Sequence, residues 1–109
     1  MRQPDRHVLE RIVAEIDYLE GLLDGVSLDD FLRDETMKRA AAMASINIGE
    51  LAKHLSHEFY EEHPQSELRY AARTRDVYAH GYFTLHFETV YKTARDDYPR
   101  LRAWIVGEL

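Results

Sequence analysis

The sequence predicts an all-α chain folded as an up-and-down antiparallel bundle, with four main helices and short helices between them. Three observations carry that reading. Only five glycines and three prolines stand among 109 residues, apolar residues recur three and four apart over long stretches, and the pattern gives β structure little support. No internal repeat, linker or low-complexity tract divides the chain, so residues 1–109 read as a single domain.

Pro4-Asp5 opens a first helix from about Asp5 to Asp24, whose stripe is Val8, Leu9, Ile12, Val13, Ile16, Leu19, Leu22 and Leu23. Gly25 suits its C-terminal cap. Ser27 with Asp30 three residues later opens a short turn, Leu28 to Leu32, which closes one end of the core. From Asp34 onward Met37, Ala41, Ala44, Ile48, Leu51, Leu55 and Phe59 recur at steps of three and four, predicting one long helix that ends before His63-Pro64. Ala40, Ala41, Ala42, Ala44 and Ser45 make its first half narrow, and a neighbouring helix is expected to cross there. Ser66-Glu67 restarts the chain as a helix to about His80, with Gly81 as the break. Leu85 to Arg95 makes the next helix. Asp97 then caps a last one to about Val106, because Pro99 lacks the amide donor that a continuous helix needs.

Composition excludes several function classes. A hydrophobic share of 45% with 31% charged residues belongs to a globular chain and not a disordered one. No stretch approaches the roughly 20 apolar residues of a membrane span, and Met1-Arg2-Gln3-Pro4 opens no secretory signal, so a cytoplasmic protein is expected. Without cysteine there is no disulfide, thiolate metal site or cysteine nucleophile. The net charge of −6 opposes loose adhesion to a polyanion, leaving nucleic acid only a local basic site.

Such a site is visible between Leu68 and Tyr82, LRYAARTRDVYAHGY, where Arg69, Arg73 and Arg75 face only Asp76. Here Arg75, His80 and Tyr82 follow the order R-x4-H-x-Y. A guanidinium offers phosphoryl oxygens a planar fork of donors, and an imidazole titrates near neutral pH and can move a proton. Together they suit metal-independent cleavage of RNA by attack of a ribose 2′-hydroxyl on the adjacent phosphorus. On an uninterrupted helix, however, five residues turn through about 140°. Either the helix ends near Gly81 and swings His80 round, or a second subunit completes the site. In-line cleavage commonly uses both a base and an acid, and a twofold pair would supply two histidines, which favours a homodimer interface.

The sequence resembles the HepT-like toxins of the HEPN superfamily over nearly its whole length. Leu28-Asp29-Asp30-Phe31-Leu32-Arg33-Asp34 is similar to the family's segment before its long helix. Ile46-Asn47-Ile48-Gly49-Glu50-Leu51-Ala52-Lys53 resembles its I-G-E-A-A-K stretch, Arg75 to Tyr82 its R-x4-H-x-Y motif, and Arg95-Asp96-Asp97-Tyr98-Pro99-Arg100-Leu101 its E-D-L-P-x-L ending. The resemblance implies a HEPN-like helical fold and a homodimeric, metal-independent ribonuclease in which Arg75 and His80 carry catalysis. It also implies a type VII toxin–antitoxin system. The partner there is a minimal nucleotidyltransferase (MNT) antitoxin that uses ATP to AMPylate the motif tyrosine, Tyr82 in this chain. Added charge and bulk beside Arg75 and His80 would then exclude an RNA phosphate. This chain itself is expected to need no cofactor. Asp76 stands where these proteins often have Asn, and Arg73 where they often have a small residue; with Arg69, both are candidate RNA-binding or supporting residues. The upstream Pro-Trp is absent from His63-Pro64-Gln65-Ser66.

Two rival readings are compatible with the sequence. One is a catalytically inactive helical dimer that binds a nucleotide or protein partner, suggested by Asp76 beside Arg75. The other is a metal-dependent enzyme using His54 and His57, three apart on the long helix with Glu50 a turn before. His7, His63 and His86 read as surface or packing residues. Tyr78, Phe83, Phe87, Tyr91 and Trp104 read as core or interface aromatics before base-stacking ones. Glu58, Glu61 and Glu62 read as a solvated acidic face.

Overall fold

A computed structural model describes residues 1–81 and 84–109, with residue 80 described by its backbone alone. Every regular element among them is helical. Helix α1 (Gln3–Leu23) is followed by the short α2 (Leu28–Arg33), then by α3 (Glu35–Lys53), α4 (His57–Glu62) and α5 (Leu68–His80). Helix α6 (Phe87–Lys92) passes through a π-helical segment, Thr93–Asp97, into α7 (Tyr98–Glu108). None of the described helices is long and apolar enough to cross a membrane.

The local chemistry of the helix starts is as their residue types dictate. Ser27 Oγ accepts from the Asp30 amide at 3.1 Å and starts α2, while Asp34 Oδ1 accepts from the Met37 amide at 2.9 Å and starts α3. Gly25 takes φ of 69°, the left-handed turn that ends α1. Phe31 on α2 is wholly buried and meets the Tyr91 ring at 5.3 Å, so α2 does close one end of the core. Helix α3 is central, with α1 along one side and α5 along the other, and the α6–α7 rod returns across α1.

Two expectations are corrected. The long helix from Asp34 toward His63 is in fact α3 and α4, separated at His54–Ser56. Ser56 Oγ accepts from the Phe59 amide at 3.1 Å and caps a new helix. Asp5, buried on α1, fixes the break by accepting from the Ser56 amide at 2.9 Å and the Ser56 hydroxyl at 2.6 Å. The second correction concerns Asp97, which makes no side-chain cap, so the last two expected helices form one continuous rod. The wider π turn skips a hydrogen bond, and Pro99, which has no amide hydrogen to give, sits where the register changes.

Aromatic residues mostly do core work, as their spacing implied. Tyr78 and Tyr98 are buried, and Trp104 makes edge contacts with His63 and Phe59, whose own rings meet at a tilt. Phe83 lies outside the described residues. The Asp5–Ser56 contact should be among the costlier single losses outside the apolar core. Asp5→Ala removes a charged acceptor from two partly buried donors and is expected to cost about 2–3 kcal/mol in urea unfolding, with Asp5→Asn losing less.

Candidate functional site

Ser66 Oγ accepts from the Leu68 amide at 3.1 Å and launches α5. Leu68, Ala71 and Tyr78 line its inner face against the core. The register places Arg75 on this same side, so the arginine is directed at α3 and away from open solvent. Its close neighbour is Gly49. A Cβ at position 49 would stand 2.2 Å from Arg75 Cβ and 2.6 Å from the Ala71 carbonyl oxygen. Ala42, Ser45, Gly49 and Ala52 are buried along α3 at steps of three and four, and the tightest approach falls at Gly49, beyond the Ala40 to Ser45 stretch expected from the sequence.

That approach sets Arg75 among charges from both helices. Arg75 Nε is shut from solvent and lies 3.0 Å from Glu50 Oε2, an ion pair whose alignment falls short of a hydrogen bond. Arg75 NH1 donates to Asp76 Oδ1 at 3.2 Å. The same Asp76 oxygen accepts from Lys53 Nζ at 2.5 Å, which ties α5 back to the end of α3. Lys53 first, and then Arg75, hold the Asp76 carboxyl below the usual carboxylate range.

The remaining candidates are distributed differently. Arg69 lies over the Tyr60 ring, 4.7 Å from its centroid, and is not gathered with Arg75. Arg73 is exposed and has no ion-pair partner among the described residues. Helix α5 continues unbroken to residue 80, and Gly81 follows in extended backbone, so the break falls where expected. The helical register therefore carries position 80 about 140° round the axis from position 75 and onto the line of positions 69, 73 and 76. The His80 side chain and Tyr82 lie outside the described residues.

In the sequence Glu50 and Lys53 stand out as polar members of the long helix and of the resembling block, not as partners of Arg75. The available signal was Gly49, since a glycine inside a helix costs about 1 kcal/mol relative to alanine and marks a place where another backbone comes close. The expected placing of His54 and His57 on one helical face is corrected. His54 is the C-cap of α3 and His57 opens α4, so the two do not share one helical face. His54 Nδ1 meets the Glu50 carbonyl at 2.8 Å and His57 Nε2 meets Glu61 at 2.6 Å. Among the described residues no group of three His, Asp or Glu side chains is placed to hold a metal ion. The nearby cavity, about 290 Å³ between α5 and the rod, is lined by Tyr70, Thr74, Thr93, Asp97 and Tyr98 but not by Arg75. Burial raises the pKa of the Tyr78 and Tyr98 phenols, which stay neutral.

A family model described as ribonuclease HepT-like matches residues 12–106. A Thermococcus cleftensis protein named as a probable ribonuclease HepT is 31% identical over 102 residues, covering 94% of this chain and 93% of the relative. A Caldanaerobacter subterraneus subsp. tengcongensis protein, provisionally named an RNase, is 33% identical over 101 residues, covering 93% and 89%. No solved structure matches the chain.

Two measurements check the geometry. Gly49→Ala forces α5 away from α3, and its overpacking cost, about 1–3 kcal/mol, outweighs the helix propensity that alanine returns; thermal unfolding should register a net loss. Asp76 should titrate below the ordinary aspartate value of about 3.9 by carboxyl NMR, and Lys53→Met should raise its midpoint. Because the folded value is the lower one, the contact stabilises above the unfolded-state value and is lost as pH falls through the folded value.

Proposed function

Because the chain belongs to the HepT-like ribonuclease family and is an RNase, we propose that it cleaves RNA with Arg75 and His80 at a site shared between two copies. The observation that carries this reading is the anchoring of Arg75 at the α3–α5 crossing, five residues before the end of the same helix. A guanidinium fixed by Glu50 keeps its planar fork in one orientation, which is what stabilising an in-line phosphoryl transition state demands. The 2′-oxygen bonds to phosphorus as the bond to the 5′-oxygen breaks. One imidazole takes the 2′-hydroxyl proton and another delivers a proton to the leaving oxygen, giving a cyclic phosphate and a 5′-hydroxyl. Arg75 offsets charge on the equatorial oxygens.

The 140° offset between positions 75 and 80 supports a homodimer, since one copy's helix does not turn both residues to one side. Arg73 follows the register of position 80 and Arg69 lies on the same outward stripe, where both can meet phosphates that flank the scissile one. In this reading the chain is a single-domain HEPN-type bundle acting in the cytoplasm as the toxin of a toxin–antitoxin pair. A nucleotidyltransferase antitoxin with its own ATP and Mg²⁺ moves AMP to the Tyr82 phenol, releasing pyrophosphate. The added phosphate then competes with RNA for the arginine.

Purified unmodified protein is expected to cut RNA in excess chelator. His80→Ala should lower kcat by about 100-fold or more, the scale of lost acid–base catalysis, with helicity and dimer mass unchanged. Undiminished cleavage by that variant would remove His80 from the mechanism. Coexpression with a cognate nucleotidyltransferase antitoxin should add an AMP-sized mass that Tyr82→Phe abolishes.

A further inference from the structure

We propose that Lys53 is a second phosphate-holding cation of the site and that Asp76 occupies, in the resting protein, the position of a phosphate oxygen. The inference rests on the reading of Arg75 as the transition-state cation. A single atom, Asp76 Oδ1, receives Lys53 Nζ at 2.5 Å and Arg75 NH1 at 3.2 Å. Two cations from different helices therefore converge on one anionic oxygen. That is the arrangement a nonbridging phosphate oxygen requires, and a carboxylate oxygen supplies the same charge and acceptor geometry.

The surroundings favour exchange. Glu50 holds Arg75 from the α3 side through Nε, so the guanidinium keeps one anchor when Asp76 leaves its NH1. The Asp76 side chain is 55% exposed and can turn into water, whereas the Arg75 side chain is only 32% exposed and stays in place. Lys53, at 38%, keeps its ammonium at the surface beside it. Exposed ion pairs of this kind hold weakly. At rest Glu50, Lys53, Arg75 and Asp76 cancel in charge. Outward rotation of Asp76 leaves two converging cations against one carboxylate, and an RNA phosphate restores the balance. Asp76 is thus a displaceable plug that suppresses binding of weak anions, and Lys53 adds a contact that a lone arginine would not provide.

The test compares unmodified wild type with Lys53→Met, Lys53→Gln, Lys53→Arg and Asp76→Asn, after circular dichroism has verified equal helicity. Each is titrated across NaCl concentrations with a fluorescent 2′-deoxy oligonucleotide, which has phosphates but no attacking hydroxyl, and assayed on the matching RNA for KM and kcat. Both neutral substitutions at Lys53 should weaken binding about tenfold and flatten the log affinity against log salt line by about 0.7, one phosphate contact on a single strand. KM should rise while kcat holds, and Lys53→Arg should restore the slope. Asp76→Asn should tighten binding and lower KM. An unchanged slope in Lys53→Met and Lys53→Gln, or unchanged or weaker binding in Asp76→Asn, overturns the proposal. Slopes that respond as expected in a protein that leaves RNA intact count against the Arg75–His80 mechanism and spare the phosphate site; cleavage with a slope indifferent to Lys53 does the reverse.

Discussion

The missing side chain at Gly49 governs the depth at which α5 settles on α3. An alanine there would meet the Ala71 carbonyl and the Arg75 Cβ, a backbone atom and the root of a side chain, neither of which can move without carrying the helix along. The helix tolerates the conformational entropy of an interior glycine because the approach it permits is otherwise closed. Everything polar at the crossing follows from that depth. Glu50 is one residue and Lys53 four residues beyond Gly49, so they flank the place where Arg75 comes down. Were the helices separated by one more methyl layer, the guanidinium would reach solvent before it reached Glu50, and its orientation would be set by water.

Local chemistry was legible and long-range chemistry was not. Ser27, Asp34 and Ser66 each use a side-chain oxygen within three residues of themselves, and residue type with position suffices to foresee that. The break between α3 and α4 is a different matter. Leu55 and Phe59 continue the apolar spacing straight through it, and both are buried, so periodicity alone reads one helix. What stops the helix is Asp5, 51 residues earlier, whose carboxylate offers Ser56 two hydrogen bonds that an uninterrupted helix would forgo. The π segment was hidden for a related reason. By residue type Pro99 marks a stop, whereas a widened turn lets the helical path continue past it.

The same division holds at the site. Arg75 and Asp76 are sequence neighbours, and their pairing follows from adjacency. Lys53 reaches Asp76 across 23 residues, through a helix–helix register that no single segment encodes. A block containing a glycine, an acid and a lysine on one helix carried the information in compressed form: the glycine locates the crossing and the charges declare what crosses. Reading it would have required knowing which helix lay opposite.

The charge of −6 and the chemistry of the proposed phosphate site stand in tension that distance resolves. Beyond about 8–10 Å at physiological ionic strength, exposed charges are largely screened, so most of the acidic surface acts on the approach of a polyanion and little on its final contacts. Within that radius Glu50, Lys53, Arg75 and Asp76 alternate in sign and sum to zero. A neutral but strongly structured cluster exerts little pull at a distance and a large one at contact, because its field falls off faster than that of a net charge. Such a surface discriminates by geometry. On the proposed exchange, an anion that sets one oxygen where the two cations converge gains what Asp76 gives up, while a diffuse or badly shaped anion meets a carboxylate that is already better placed.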